Sequence, residues 1–254
     1  MATEPPDHSE DNAAIANQEH IAVLELGNGA WHKWRKDNPD LIPELGGAEL
    51  DKMGLSGMDL HDADLRGASL KLADLRKANL RNANLTGADL RDADVRGADL
   101  TDAILLKADL RSTDFRKSVL ETAKLAEANL DGAYLDEVDL SDADLTRARL
   151  VEAGLKGADL CGAHLLKANL HKADLRKATL RRANLTGSDL RKANLQGADL
   201  RKVNLSGANL SGADLRKSRL TKAKLTKADM HGTDLRKANV RGTDLQAAKG
   251  TKKL

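Results

Sequence analysis

Leucine, or a residue standing in for it, returns at every fifth position from Leu50 to Leu245 without a slip of phase. Of the forty positions in that register Leu fills thirty-six, and Val95, Phe115, Met230 and Val240 fill the rest. Two residues before each, Ala fills thirty; directly before each, Asp or Asn fills twenty-seven. A five-residue period fits neither an α-helix at 3.6 nor a strand at 2. Self-similarity at a fixed period marks a repeat architecture. Inside each unit the Ala and the Leu are two apart, as on one face of a strand. The two residues that follow are mostly Gly, Lys, Arg, Ser, Thr or Asp, which suit a turn. Each pentapeptide therefore reads as a very short strand and a corner, and stacking the units buries one narrow core of Leu and Ala. All four prolines (Pro5, Pro6, Pro39, Pro43) precede the repeat. That is expected if every later N–H is needed in ladders between coils.

Composition agrees with such a core. Only 2% of the 254 residues are aromatic, against 31% charged, so Leu and Ala must do the work that Phe, Tyr and Trp do in ordinary cores. The single cysteine, Cys161, rules out an intramolecular disulfide and suggests a reducing compartment, the cytoplasm. The polar, acidic start MATEPPDHSEDN is unlike a signal peptide, and no stretch of eighteen apolar residues predicts a membrane span.

The A(D/N)LXX pattern over about residues 44–248 resembles the pentapeptide-repeat family. The resemblance implies an all-β solenoid: a right-handed quadrilateral β-helix of about ten coils, four pentapeptides to a coil. At about 4.8 Å per coil, the rod is roughly 48 Å long. A twenty-residue coil sorts the residue after each Leu into columns. One column reads Ser56, Arg76, Arg96, Arg116, Asp136, Lys156, Arg176, Gln196, Arg216, Arg236 and is mainly basic. Another reads Arg66, Thr86, Leu106, Ala126, Thr146, Leu166, Thr186, Ser206, Thr226, Gln246 and is small and neutral.

A solenoid needs caps at both ends. The expected organisation is a disordered N-terminus at 1–10, a short α-helical cap within 11–43, the β-helix at 44–248 and a basic tail at 249–254. NAAIANQEHIAVLEL carries Ile15, Ile21, Val23, Leu24 and Leu26, with Gly27 as a stop. Asn28 is then the expected N-cap of a second helix bearing Trp31 and Trp34, which are expected to plug the N-terminal end of the core. The stretch WHKWRKDNPDLIPELGGAEL is similar to the helical leader of many bacterial, notably cyanobacterial, pentapeptide-repeat proteins. The C-terminus, QAAKGTKKL, offers no amphipathic helix. Either lysine charge alone protects the last coil, or a homodimer forms through the C-terminal end.

No catalytic, cofactor-binding or metal-binding residue emerges. The seven histidines show no metal-ligand spacing, and Cys161 with His164 lacks a third orienting residue. A Leu-filled rod is expected to offer no pocket, so the chain does not read as an enzyme.

Charge is the remaining signal. Formal net charge is +2, yet residues 1–152 hold 18 Lys and Arg against 31 Asp and Glu, and residues 153–254 hold 23 against 8. Two candidate surfaces stand out. The first is the basic column Arg76, Arg96, Arg116, Arg176, Arg216 and Arg236. It is either a ladder neutralised by the Asp two residues before each Arg or a docking stripe for an acidic partner. The second is a mid-rod acidic patch centred on Glu127, Asp131, Asp136, Glu137 and Asp142. The main functional expectation is a non-enzymatic scaffold or adaptor that binds protein partners through the faces of a rigid rod. The resemblance adds an alternative, inhibition of DNA gyrase by mimicry of duplex DNA. Against it stand the basic C-terminal half, Phe115 as the sole Phe and the absence of interrupting loops. A third reading is non-specific binding of nucleic acid or an anionic surface by residues 153–254. The lack of interleaved aromatic residues makes nucleic acid the weaker partner.

Overall fold

The computed structural model describes residues 15–250; the expected disordered stretch 1–10 and tail residues 251–254 lie outside the described residues. Two helices open it: α1 (Gln18–Glu25) and α2 (Asn28–Asp37). Both helices lie within the expected span of 11–43, of which residues 11–14 lie outside the described residues. The Asn17 side chain accepts the Glu19 N–H and caps α1. Ile15 lies before α1 and Leu26 is its C-cap residue, so both are exposed rather than on an apolar face. Asn28 is not the cap of α2. Gly27 is, at φ +89°, a conformation favouring glycine. Asn28 is the first helical residue and its Nδ2 donates to the Ser56 carbonyl at 3.3 Å.

From Glu44 onward every pentapeptide is one side of a square coil. From Glu44 to Arg219 the residue before each inward residue forms a parallel bridge with the residue twenty positions on, beginning Glu44 to Asp64 and Glu49 to Ser69. Four sides therefore close one turn. Each unit donates the Leu N–H and the second corner N–H to the next coil, as Leu45 to Asp64 O at 2.8 Å and Gly47 to Arg66 O at 2.8 Å. The Asp64 N–H returns to Pro43 O at 2.9 Å, so a proline within the rod would delete one of these bonds or the turn bond.

The corner itself is a β-turn closed by Ala48 N–H on Leu45 O at 3.1 Å. Its second corner residue has positive φ throughout the rod, for example +54° at Asp142 and +72° at Gly162, as a type II turn requires. Twenty-six such positions carry a residue other than Gly, thirteen of them Lys, and Thr122 alone is β-branched. A left-handed L-residue costs about 1–2 kcal/mol. At Leu72, φ +59° and 54% exposed, only partial burial offsets the strain. Leu72→Gly is expected to raise stability by about 0.5–1 kcal/mol, the strain relief exceeding the entropy of a freer unfolded chain. Urea denaturation checks this; a loss of stability would mean that Leu72 packs on something useful.

Inside, the Leu and Ala columns are buried from Leu45 to Met230, apart from the half-buried Met53. The final coil differs. Leu235, Val240 and Leu245 are only half-buried, and a 3₁₀ turn at Leu245–Ala247, capped by the Asp244 carboxylate, ends the rod.

The helices lie on the first coils. Glu44 N–H donates to His20 Nδ1 at 3.0 Å, and Trp31 Nε1–H donates to Asp59 O at 2.7 Å. Arg35, 5% exposed, donates to Leu41 O at 2.9 Å and His61 O at 3.2 Å. Trp31 is fully buried, stacks on Trp34 with ring centroids 5.0 Å apart, and with Leu24 joins the Leu–Ala core; Trp34 is half-buried and meets His20 edge-on.

Candidate interaction surface

Strand alternation sends the residue before each Leu outward, and the two corner residues follow it. Each side of the rod therefore shows three outward residues per coil, stacked in columns twenty apart. Along the rod, these columns are where outward side chains distant in sequence meet.

One local motif recurs along the rod. Where Asp precedes the inward residue and Arg follows it, the two close on each other. At Asp74 and Arg76, Nε donates to Oδ1 at 2.7 Å and Nη2 to Oδ2 at 2.6 Å, while the Arg76 N–H reaches Oδ1 at 3.2 Å. Eleven Asp–X–Arg triplets make this fork. All six arginines of the expected basic column are among them, held by Asp74, Asp94, Asp114, Asp174, Asp214 and Asp234. Lys77, Lys117, Lys177, Lys217 and Lys237, at the second corner position of the same side, carry no ion pair among the described residues. The free positive charge of that side is therefore lysine, not arginine.

The forks at Asp64, Asp74, Asp89, Asp114, Asp174, Asp199, Asp214 and Asp234 hold their carboxyls ionised. The Arg side-chain bond is the main cause of the lowered pKa at Asp64, Asp74, Asp89 and Asp214. At Asp114, Asp174 and Asp199 burial pushes upward and is the largest single influence, but the Arg bonds together outweigh it. Asp234 is lowered to about 2. A carboxyl depressed in the folded state contributes stability that is complete above its unfolded value of about 3.9 and lost as pH falls through the folded value. The urea midpoint is thus expected to hold from pH 7 to about pH 5 and to fall between there and pH 2. A midpoint that stays level down to about pH 2 would show that these exposed forks contribute nothing, each being weak by itself.

The five acids of the expected patch do not form one. Successive units lie on successive sides, so Glu127, Asp131, Asp136 with Glu137, and Asp142 stand on four different sides and belt the rod. Several also serve the backbone. Asp131 Oδ1 accepts the Val151 N–H at 2.8 Å and Asp136 Oδ1 the Lys156 N–H at 2.9 Å, both one coil on. Asp131 also pairs with Arg149 at 2.6 Å, and Glu127 with Arg147 at 3.4 Å.

The long-range charge split is instead concentrated on one side, that of the ladder running from Asp59 through Asp99, Asp139, Asp159, Thr179 and Asp199 to Asn239. Up to Gly162 its outward residues include Asp59, Asp62, Asp99, Asp102, Glu121, Asp139, Asp142 and Asp159, against Arg81 alone, a net of −7. From Thr179 on they include Arg181, Arg182, Arg201, Lys202, Arg219, Lys222 and Arg241, against Asp199, a net of +6. Arg181, Arg182, Arg201 and Lys202 line a shallow depression there. This side escapes notice when only two of the four columns are sorted; the same sort on residues 61 to 241 displays it.

Among the described residues no group of His, Cys, Asp and Glu could hold a metal ion, and no helix is long and apolar enough to cross a membrane.

A family model described as pentapeptide repeats matches in eight copies between residues 44 and 249. No curated protein matches the chain. Among solved structures, HetL, a pentapeptide repeat protein involved in heterocyst differentiation regulation from the cyanobacterium Nostoc, is 34% identical over 80% of this chain and 94% of its own, with a TM-score of 0.36. Rfr23 from the cyanobacterium Cyanothece is 32% identical over 35% of this chain and 57% of its own, TM-score 0.29. QnrB1, a plasmid-mediated fluoroquinolone resistance protein, is 18% identical over 69% of this chain and 88% of its own, TM-score 0.47.

Proposed function

Because the chain belongs to the pentapeptide-repeat family, whose fold is a right-handed quadrilateral β-helix, we propose that it is a non-enzymatic adaptor that docks protein partners on the flat sides of a rigid rod. The rod has about ten coils, with the two helices and the Trp31–Trp34 pair closing its N-terminal end, and it works in the reducing cytoplasm. The observation that carries the reading is that one frame presents sides of different chemistry: a side of Asp–Arg forks flanked by free lysines, a side whose first corner column is mostly Thr, Ser and other uncharged residues, and a side split between acid and base. A preformed backbone presents such side chains without the ordering cost that a flexible loop incurs.

The test is capture of partners from host lysate by the intact protein and by variants altered three outward residues at a time, one side per variant. A partner lost with one side and kept with the other three supports docking. Loss spread evenly over all sides, or no specific capture, counts against it. Mimicry of duplex DNA calls for acid along the rod, and the acid on the split side stops at Asp159 apart from Asp199. The protein is accordingly expected to leave gyrase supercoiling unaffected at micromolar concentration; inhibition in that assay would reinstate the mimic.

A further inference from the structure

We infer that the split side is a self-docking surface on which two copies of this chain pair antiparallel, acidic half against basic half. This rests on the reading of the rod as a protein-binding frame and names the partner of one side.

A two-fold axis lying in the contact plane and parallel to the strands reverses the rod while keeping the strand direction. Each corner position then meets the same corner position of another coil. Placing the axis between the coils of Leu160 and Leu180, where the charge changes sign, sets Asp142 opposite Lys202 and Asp102 beside the Arg241–Gly242 corner. The coils from Leu100 to Val240 overlap, and the single cation of the acidic stretch, Arg81, sits one coil outside, with its Nη1 on Asp99 at 3.2 Å at the rim of the overlap. Within the overlap six acids meet seven cations and Asp199, a charge of −6 against +6. The one like-charged meeting is Asp139 with Asp199, and Asp199 is already held by Arg201 at 2.5 Å and approached by Arg219 at 3.9 Å.

Size agrees independently of charge. At the first corner position Cys161 meets Arg181, Ser141 meets Arg201, and Thr101 meets Arg241; Glu121 meets the small Thr221. At the second, Gly162 meets Arg182. A short side chain stands opposite a long one at each of these levels, so the arginines have room to lie down rather than collide. Within the chain, the Asp142 carboxylate occupies the space beside Gly162.

Eight coils at about 4.8 Å span about 38 Å, and a side is about 15 Å wide. That buries about 600 Å² per copy, about 1,200 Å² in all, at the lower edge of specific interfaces. Such a dimer is held by charge more than by apolar area, so salt must weaken it.

Sedimentation equilibrium of the full chain is expected to show a dimer at about 0.05 M salt that is about tenfold weaker at about 0.5 M. Two variants test the register. One is R182E/K202E/K222E and the other is D102K/E121K/D142K. Except for Glu121, all these positions are left-handed corners, and the rod already carries Lys and Glu at such corners (Lys77, Glu137), so both variants fold. Each alone is expected to be monomeric, and an equimolar mixture is expected to form a heterodimer, because the reversed half of one variant then faces the reversed half of the other, with position 202 directly on position 142. Cys161, the only cysteine, reads the geometry. In the antiparallel pair the two Cys161 residues sit one coil apart across the contact, about 11 Å, within reach of a short bismaleimide. An end-to-end dimer would hold them about 40 Å apart. A protein monomeric at low salt, a dimer that survives both reversals, reversals that do not rescue each other, or a dimer without the cross-link each overturns the proposal. Monomeric protein that binds a duplex oligonucleotide through Arg182, Lys202 and Lys222 would assign the basic half to nucleic acid instead. None of these failures touches side-specific capture from lysate, which tests the adaptor reading by itself.

Discussion

Trp31→Ala is expected to cost about 3–5 kcal/mol, the range for deleting a buried large aromatic side chain. Three losses combine. The indole is fully buried against the first coils. Its stacking on Trp34 disappears. The Asp59 carbonyl loses the donor at 2.7 Å that it has in the folded state. In a solenoid each coil contacts only its neighbours, so the damage stays near the N-terminal end. Trp34, then the sole tryptophan, is expected to report unfolding at much lower urea than the far-UV signal of the rod. A shift below about 1 kcal/mol, equal in both probes, would show that the helices do not stabilise that end. Trp31→Phe should recover most of the loss in packing but not the bond to Asp59.

Phe115→Ala is expected to be comparably costly, about 3–5 kcal/mol, but in mid-rod, where it divides the stack. Phe115 is the largest side chain in the Leu columns and is fully buried. The coil before it carries Val95 in the same column, bonded through Val95 N–H to Asp114 O at 2.8 Å. A small residue beside a large one keeps the column's volume near that of two leucines. Val95→Leu alone should overpack by about 1–3 kcal/mol, and Phe115→Leu alone should leave a small cavity. The double variant V95L/F115L should then be close to wild type, a coupling well outside additivity. Additive costs in the double-mutant cycle would mean that the two sites do not share space. Unfolding of Phe115→Ala in two steps, rather than one displaced step, is the further expectation.

How much of the molecule is legible in the sequence depends on the range of the interaction. The Leu and Ala columns are legible because inward direction alternates with sequence and needs no partner. The Asp–X–Arg pairs are legible as candidates, since two residues in one unit are neighbours in any strand. Their bidentate geometry, and so the fact that the arginines are not the free cations, is not. The expected acidic patch fails because proximity in sequence is not proximity in space here. A corner every five residues sends Glu127, Asp131, Asp136 and Asp142 around the rod, while Asp142 and Lys202, sixty residues apart, share one side. The N-cap of α2 falls on Gly27 rather than Asn28. Asn is a good cap, but the sharp entry between α1 and α2 needs the left-handed conformation that Gly27 adopts.

The period, the identity of the core, the absence of proline from the ladder and the total charge of each half of the chain all follow from the order of residues alone. Which residues meet follows from the fold. A pentapeptide specifies one side and one corner, but the number of corners that closes a turn is a property of the backbone stacking on itself, with a bridge at every twentieth residue. That closure gathers a charge imbalance, diffuse along 254 residues, onto one side of four, and turns an acidic and a basic half into a surface complementary to its own reverse.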